Sequence, residues 1–254
     1  MKFRTMLLAS AAVMFAAGTA SAADLTGAFY MPGEGKFTSD TRVEYSRTEF
    51  NDSEYKNDSW SAAEEVAYGV TDNFTVFGTL YNEFDTEGYY NNDHNFKYQA
   101  GAAYNMRSGN LLAQVRGSYY TYNPKDFEGK RNTDERWQKY LNGEIRLGYD
   151  MGDGWTPYMV YGVDGQIDQA DRGMDQYAFA GVHKYAGNWA ADAGILYDFV
   201  TDGENENEVY AQAEFDYYPV ENVALGVYGS YYLAGQDNEI DKDYTTGVRV
   251  KVAF

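Results

Sequence analysis

With 254 residues and a formal net charge of −19, the chain lacks the basic face that nucleic-acid binding needs, so nucleic acid is excluded as a partner. Cysteine is absent, which excludes a disulfide framework and any thiolate metal site. Four prolines against 26 glycines and 26 tyrosines favour strands, turns and interfacial aromatics over helix.

The first predicted element is an export signal over residues 1–22. Lys2 and Arg4 form a positive start, residues 6–17 a short apolar core, and Ala20-Ser21-Ala22 a small-residue cleavage site before Ala23. Its removal takes away two positive charges and leaves the mature chain more acidic still. No later run reaches about 18 apolar residues, which excludes transmembrane helices but not a membrane. Strands that alternate apolar and polar residues average out as hydrophilic and escape a hydropathy window. Residues 23–40 alternate weakly from Leu25 to Met31, and Pro32-Gly33-Glu34-Gly35 then breaks the pattern.

From Thr41 onward, segments of about ten residues alternate with period two and are separated by turn-rich gaps. The predicted strands cover 41–50, 59–70, 74–84, 96–106, 111–122, 138–151, 155–167, 175–186, 189–199, 208–218, 223–232 and 244–254. The gaps alternate short and long. Thr71-Asp72-Asn73, Arg107-Ser108-Gly109-Asn110, Gly152-Asp153-Gly154, Gly187-Asn188 and residues 219–222 suit tight hairpins, because Gly, Asn and Asp accept positive φ. Residues 51–58, 85–95, 123–137, 168–174, 200–207 and 233–243 are polar and too long for that. A soluble sandwich has no reason to sort its loops by length. The fold expected is all-β: a transmembrane up-and-down antiparallel barrel of 12 strands over residues 41–254. A thirteenth strand would put the two chain ends on opposite sides, so residues 23–40 are expected as a plug or a loose leader.

One face of each strand reads as lipid-facing. In the last it is Tyr244, Thr246, Val248, Val250, Val252 and Phe254; in the seventh, Trp155, Pro157, Met159, Tyr161 and Val163. Two residues fit badly. Glu64 falls on the outer face of the second strand, His183 sits awkwardly in either phase of the eighth, and a bulge in each is expected to repair this. Inward, the phase sorts charge by wall. Asp164, Asp192, Asp198, Glu214 and Asp216 form an acidic side; Arg42, Lys97, Arg116, Arg146, Arg249 and Lys251 form a side with a basic excess.

The leader, the alternating strands and the final Val248-x-Val250-x-Val252-x-Phe254 resemble bacterial outer-membrane β-barrel proteins. That resemblance implies an outer-membrane location, contact with lipid and lipopolysaccharide, and recognition of Phe254 by the barrel-assembly machinery. Val252 stands where many such proteins carry an aromatic. The 12-stranded relatives include oligosaccharide porins, nucleoside channels, a phospholipase and autotransporter translocators, and the likeness is to their architecture only.

The chemistry legible in the chain is sparse. His94, in a long gap, has acids nearby but no nucleophile partner, and His183, near a short turn, lies at the wrong end for a rim site, so no catalytic residues and no cofactor are expected. A rim hydrolase using His94 is the weakest reading. The acidic runs at 201–208 and 237–243 lack the spacing of a calcium loop. They fit loose divalent cations near lipopolysaccharide, and no dedicated metal site. Inward tyrosines offer stacking faces and hydroxyls for sugars. The function expected is a porin-like channel for passive diffusion of small polar solutes, with mild cation preference and the charged lumen as filter. The alternative is a plugged barrel acting through its long external loops.

Overall fold

The computed structural model describes residues 25–51, 56–87, 94–123, 137–168, 174–199, 207–235 and 240–254. The export signal and the tips of the six long gaps, including residues 201–206 and 237–239 of the acidic runs, lie outside these residues.

Alternation builds what it predicts. The strands are β1 (Phe37–Phe50), β2 (Lys56–Thr71), β3 (Phe74–Glu87), β4 (His94–Ser108), β5 (Leu111–Asn123) and β6 (Gln138–Tyr149), followed by β7 (Trp155–Gln166), β8 (Met174–Tyr185), β9 (Trp189–Phe199), β10 (Asn207–Val220), β11 (Val223–Gly235) and β12 (Ile240–Ala253). Each pairs antiparallel with its neighbours in sequence, and β1 pairs with β12 to close the barrel. No helix occurs among the described residues. Closure leaves no sheet edge, so every strand backbone finds partners without water.

The outside is a surface for hydrocarbon. Leu80, Leu141, Ile145, Met159, Val227 and Val248 are each more than half exposed. Exposed Tyr104, Tyr149, Trp155 and Tyr217 ring the short-turn end, and Trp60, Tyr98, Trp137, Tyr161 and Tyr231 ring the other. These are two interfacial girdles around an apolar belt. All strands but the 11-residue β9 exceed the roughly 9–11 residues that span a bilayer, and β2 reaches 16, so they project beyond it at the long-loop end. The loops are correspondingly shorter than the gaps implied: β3 runs to Glu87 and β4 opens at His94.

Two expectations need correction. Strand β1 begins at Phe37 and not at Thr41, because Phe37 and Phe254 exchange backbone hydrogen bonds of 2.7 and 2.9 Å that complete the closing ladder. After Phe37, its next outward residues, Ser39 and Thr41, are polar and break the alternation signal. Nor is there a bulge at Glu64 or His183. The β2 ladders run unbroken through Glu64, and those of β8 through His183. Glu64 therefore does point outward. There it accepts hydrogen bonds from the hydroxyls of Ser39 (2.5 Å) and Thr41. His183 points inward, is 4 % exposed, and has Nδ1 3.3 Å from Asp192.

Residues 25–36 cross the short-turn mouth from inside. Leu25 is buried among Ala190, Tyr218, Ala224 and Ala253, a small apolar cluster that also packs Tyr30 and Tyr185. Further on, the segment docks on β2, where Gly35 donates to the Gly69 carbonyl at 2.8 Å. A Cβ on Gly69 would lie 2.2 Å from the Gly33 carbonyl oxygen and 2.4 Å from that of Pro32. Gly69→Ala is therefore expected to undock this stretch while leaving the barrel closed. The readout is faster trypsin cleavage after Lys36 at unchanged heat-modifiable gel mobility; wild-type cleavage kinetics would refute it.

Candidate functional site: the charged lumen

Inward residues of a 12-stranded barrel surround a space between the filled interior of eight strands and the wide channel of sixteen. Here that space holds two adjoining cavities of about 540 and 600 Å³. Lys97, Arg116, Lys251 and Asp164 line the first alone. The second has Asp192 and Asp198 with Tyr158 and Gln212, and Glu214 on the same side. Arg42, Arg146 and Arg249 border both cavities. Asp216 borders neither; it is 1 % exposed beneath Arg249.

Most of these charges are held by one another. Arg249 forms a fork on Asp216, with Nε and Nη2 at 2.9 and 2.7 Å, and also pairs with Glu214. Arg146 binds Glu144 at 2.6 Å, Arg116 binds Glu65 at 2.8 Å, and Arg42 binds Asp40 at 2.9 Å. In a space of low dielectric an unpaired ion is costly, so the counter-charge comes from the same strand for Arg42 and Arg146 and from across intervening strands for Arg116 and Arg249. Two cations differ. The Lys97 ammonium lies 3.9 Å over the Tyr120 ring, and that of Lys251 lies 4.6 Å over Tyr30; among the described residues neither closes a salt bridge.

The sequence singled out the charges but not what anchors the acids. Tyrosine hydroxyls do so, reaching across one intervening strand. Tyr120 donates to Asp164 at 2.6 Å, Tyr158 to Asp192 at 2.8 Å, Tyr177 to Glu144 and Tyr228 to Glu44 at 2.7 Å. For two of the four, a glycine on the intervening strand makes room for the ring. Tyr177 lies over Gly162 and Tyr228 over Gly247, where a Cβ would come within 2.1 and 2.5 Å of the ring. An inward tyrosine one strand away from an inward glycine was the available signal. These hydroxyls are thus committed to the wall, and Tyr120 stacks on Tyr140 at 4.7 Å.

The N-terminal segment forms the floor. Thr26 and Ala28 border both cavities. Arg146 donates to the Ala28 carbonyl at 2.8 Å, Asn105 to that of Phe29 at 2.7 Å, and Thr26 bonds Tyr218 at 2.6 Å. Elsewhere, Phe254 lies at the closing seam with its ring stacked 6.0 Å from Phe37. His94 opens β4; the rim where a hydrolase would work falls largely outside the described residues.

No protein-family model and no curated sequence matches the chain. Its fold has solved counterparts. An outer membrane channel of Pseudomonas putida F1, the COG4313 channel, is similar over 90 % of this chain and 99 % of its own, with a TM-score of 0.70 at 12 % identity. The NanC porin is similar over 84 % of this chain and 98 % of its own (TM-score 0.56, 8 % identity). The translocator domain of the autotransporter NalP from Neisseria meningitidis is similar over 89 % and 91 % (TM-score 0.51, 13 % identity). At such identities the likeness is one of fold: the chain has the architecture of bacterial outer-membrane β-barrels, and that architecture serves more than one task.

Proposed function

We propose that the protein is an outer-membrane channel for passive diffusion of small polar solutes, with a mild cation preference and a lumen whose charged walls act as the filter. The observation that carries this reading is the pair of adjoining cavities in a lumen that paired charges have not filled. Channel and porin neighbours of the same fold support it. The preference follows from the acidity of the whole chain, which concentrates cations at its entrances and repels acidic oligosaccharides. Arg42, Arg116, Arg146 and Arg249 narrow the passage and set a field against the acidic residues opposite, which orients polar solutes. Residues 25–36 act as a plug on the periplasmic side. Phe254 marks the barrel for assembly, and the long loops meet lipopolysaccharide, with divalent cations loosely bridging them.

Purified protein in a planar bilayer is expected to give discrete conductance steps, and a KCl gradient a reversal potential of cation sign. A folded barrel that never conducts would instead support the second reading, a plugged barrel acting through its loops. The floor of residues 25–36 is what favours that alternative.

A further inference from the structure

Glu64 is out of place for any monomer in a bilayer. It sits midway along β2, between Trp60 of one girdle and Tyr68 near the other, and it faces hydrocarbon. Its register partners are Thr41 on β1 and Leu80 on β3; Leu80 is 51 % exposed. The hydroxyls of Ser39 and Thr41 each donate to one carboxylate oxygen, which leaves each oxygen with capacity for a further hydrogen bond. A second polar group shares this wall. Asn82 pairs with Ala62 and with the exposed Phe96, so it too faces out, and its amide nitrogen carries two N–H donors. One strand and two residues separate Glu64 from Asn82, the diagonal spacing of roughly 7–8 Å.

Lipid tails cannot satisfy either group, and ionisable residues at this depth mark a partner of defined chemistry. The two are complementary: a carboxylate that accepts and an amide that donates. A two-fold axis along the membrane normal, passing near Leu80, brings Glu64 of one copy to Asn82 of the next and the reverse, which is the requirement of an isologous contact. Lipopolysaccharide head groups lie at the girdle, not at mid-wall. Around the polar pair the surface suits close approach, with outward Ala62 and Gly78 low and Val66, Leu80 and Val76 exposed.

We propose that the outer face of β1–β3 is a homodimer interface within the membrane, with Glu64 of each copy accepting a hydrogen bond from the Asn82 amide of the other. The inference holds whether or not the barrel conducts.

The chain's lack of cysteine makes the test clean. Leu80→Cys, refolded into liposomes and mildly oxidised, is expected to give a disulfide-linked dimer. Met159→Cys, exposed on β7 across the barrel, should stay monomeric. By single-molecule photobleaching the wild type should bleach in two steps, and Glu64→Leu or Asn82→Leu should lower that fraction at least tenfold while heat-modifiable mobility shows a folded barrel. One-step bleaching of the wild type would overturn the proposal. So would equal cross-linking of the Leu80→Cys and Met159→Cys variants, or a dimer fraction indifferent to Glu64→Leu.

Discussion

Arg249→Met is expected to destabilise the barrel by about 3–5 kcal/mol, the cost of removing one partner from a buried ion pair. Arg249 and Asp216 have side chains 4 % and 1 % exposed, and Glu214 shares the same guanidinium. Without Arg249, Asp216 stays sealed from water with no counter-charge, and Glu214 on the cavity wall beside it loses its partner. Gly226 belongs to the same arrangement: a Cβ there would lie 2.2 Å from Asp216 and 2.8 Å from Arg249. Arg249→Lys should fall between wild type and Arg249→Met, since an ammonium keeps the charge but loses the fork. Arg249→Met combined with Asp216→Asn should recover part of the loss, because the buried charge goes with its partner. Urea titration in lipid vesicles, followed by the fluorescence of the four tryptophans, reads all three. An unchanged midpoint for Arg249→Met would show that water reaches this cluster freely.

Joining Asp24 directly to Phe37, which deletes residues 25–36, is expected to at least double the unitary conductance. The segment forms the floor of both cavities and is held by Leu25 in its apolar cluster, by Arg146 on the Ala28 carbonyl and by Asn105 on that of Phe29. Deletion should also weaken the cation preference, read as a reversal potential closer to zero. It frees Lys251 from the Tyr30 ring and uncovers Arg146, which stays held by Glu144, so more positive charge faces the passage. The strands close through Phe37 and Phe254, so the barrel itself should persist. Conductance and reversal potential both equal to wild type would mean that solutes never pass this mouth.

The barrel was legible because its determinants are local. A residue between hydrocarbon and lumen must alternate in polarity with its neighbours, and a two-residue Gly187-Asn188 gap cannot be anything but a hairpin. Strand number, loop sorting and the inward phase of Arg42, Arg116, Asp192 or Glu214 all follow from spacing along the chain. What alternation cannot carry is which side chains meet across the ring. The union of Arg249 with Asp216, the reach of Tyr177 over Gly162 to Glu144, and the docking of Pro32 and Gly33 over Gly69 depend on closure, which sets strand tilt and the stagger of one strand against the next. Glu64 shows the limit most plainly. Read alone it is a defect to be mended by a bulge; only the folded wall sets Ser39 and Thr41 beside it and Asn82 one strand away. Polarity written along a strand fixes the face a residue takes, whereas its partners are chosen by strands distant in sequence and brought together when the cylinder shuts.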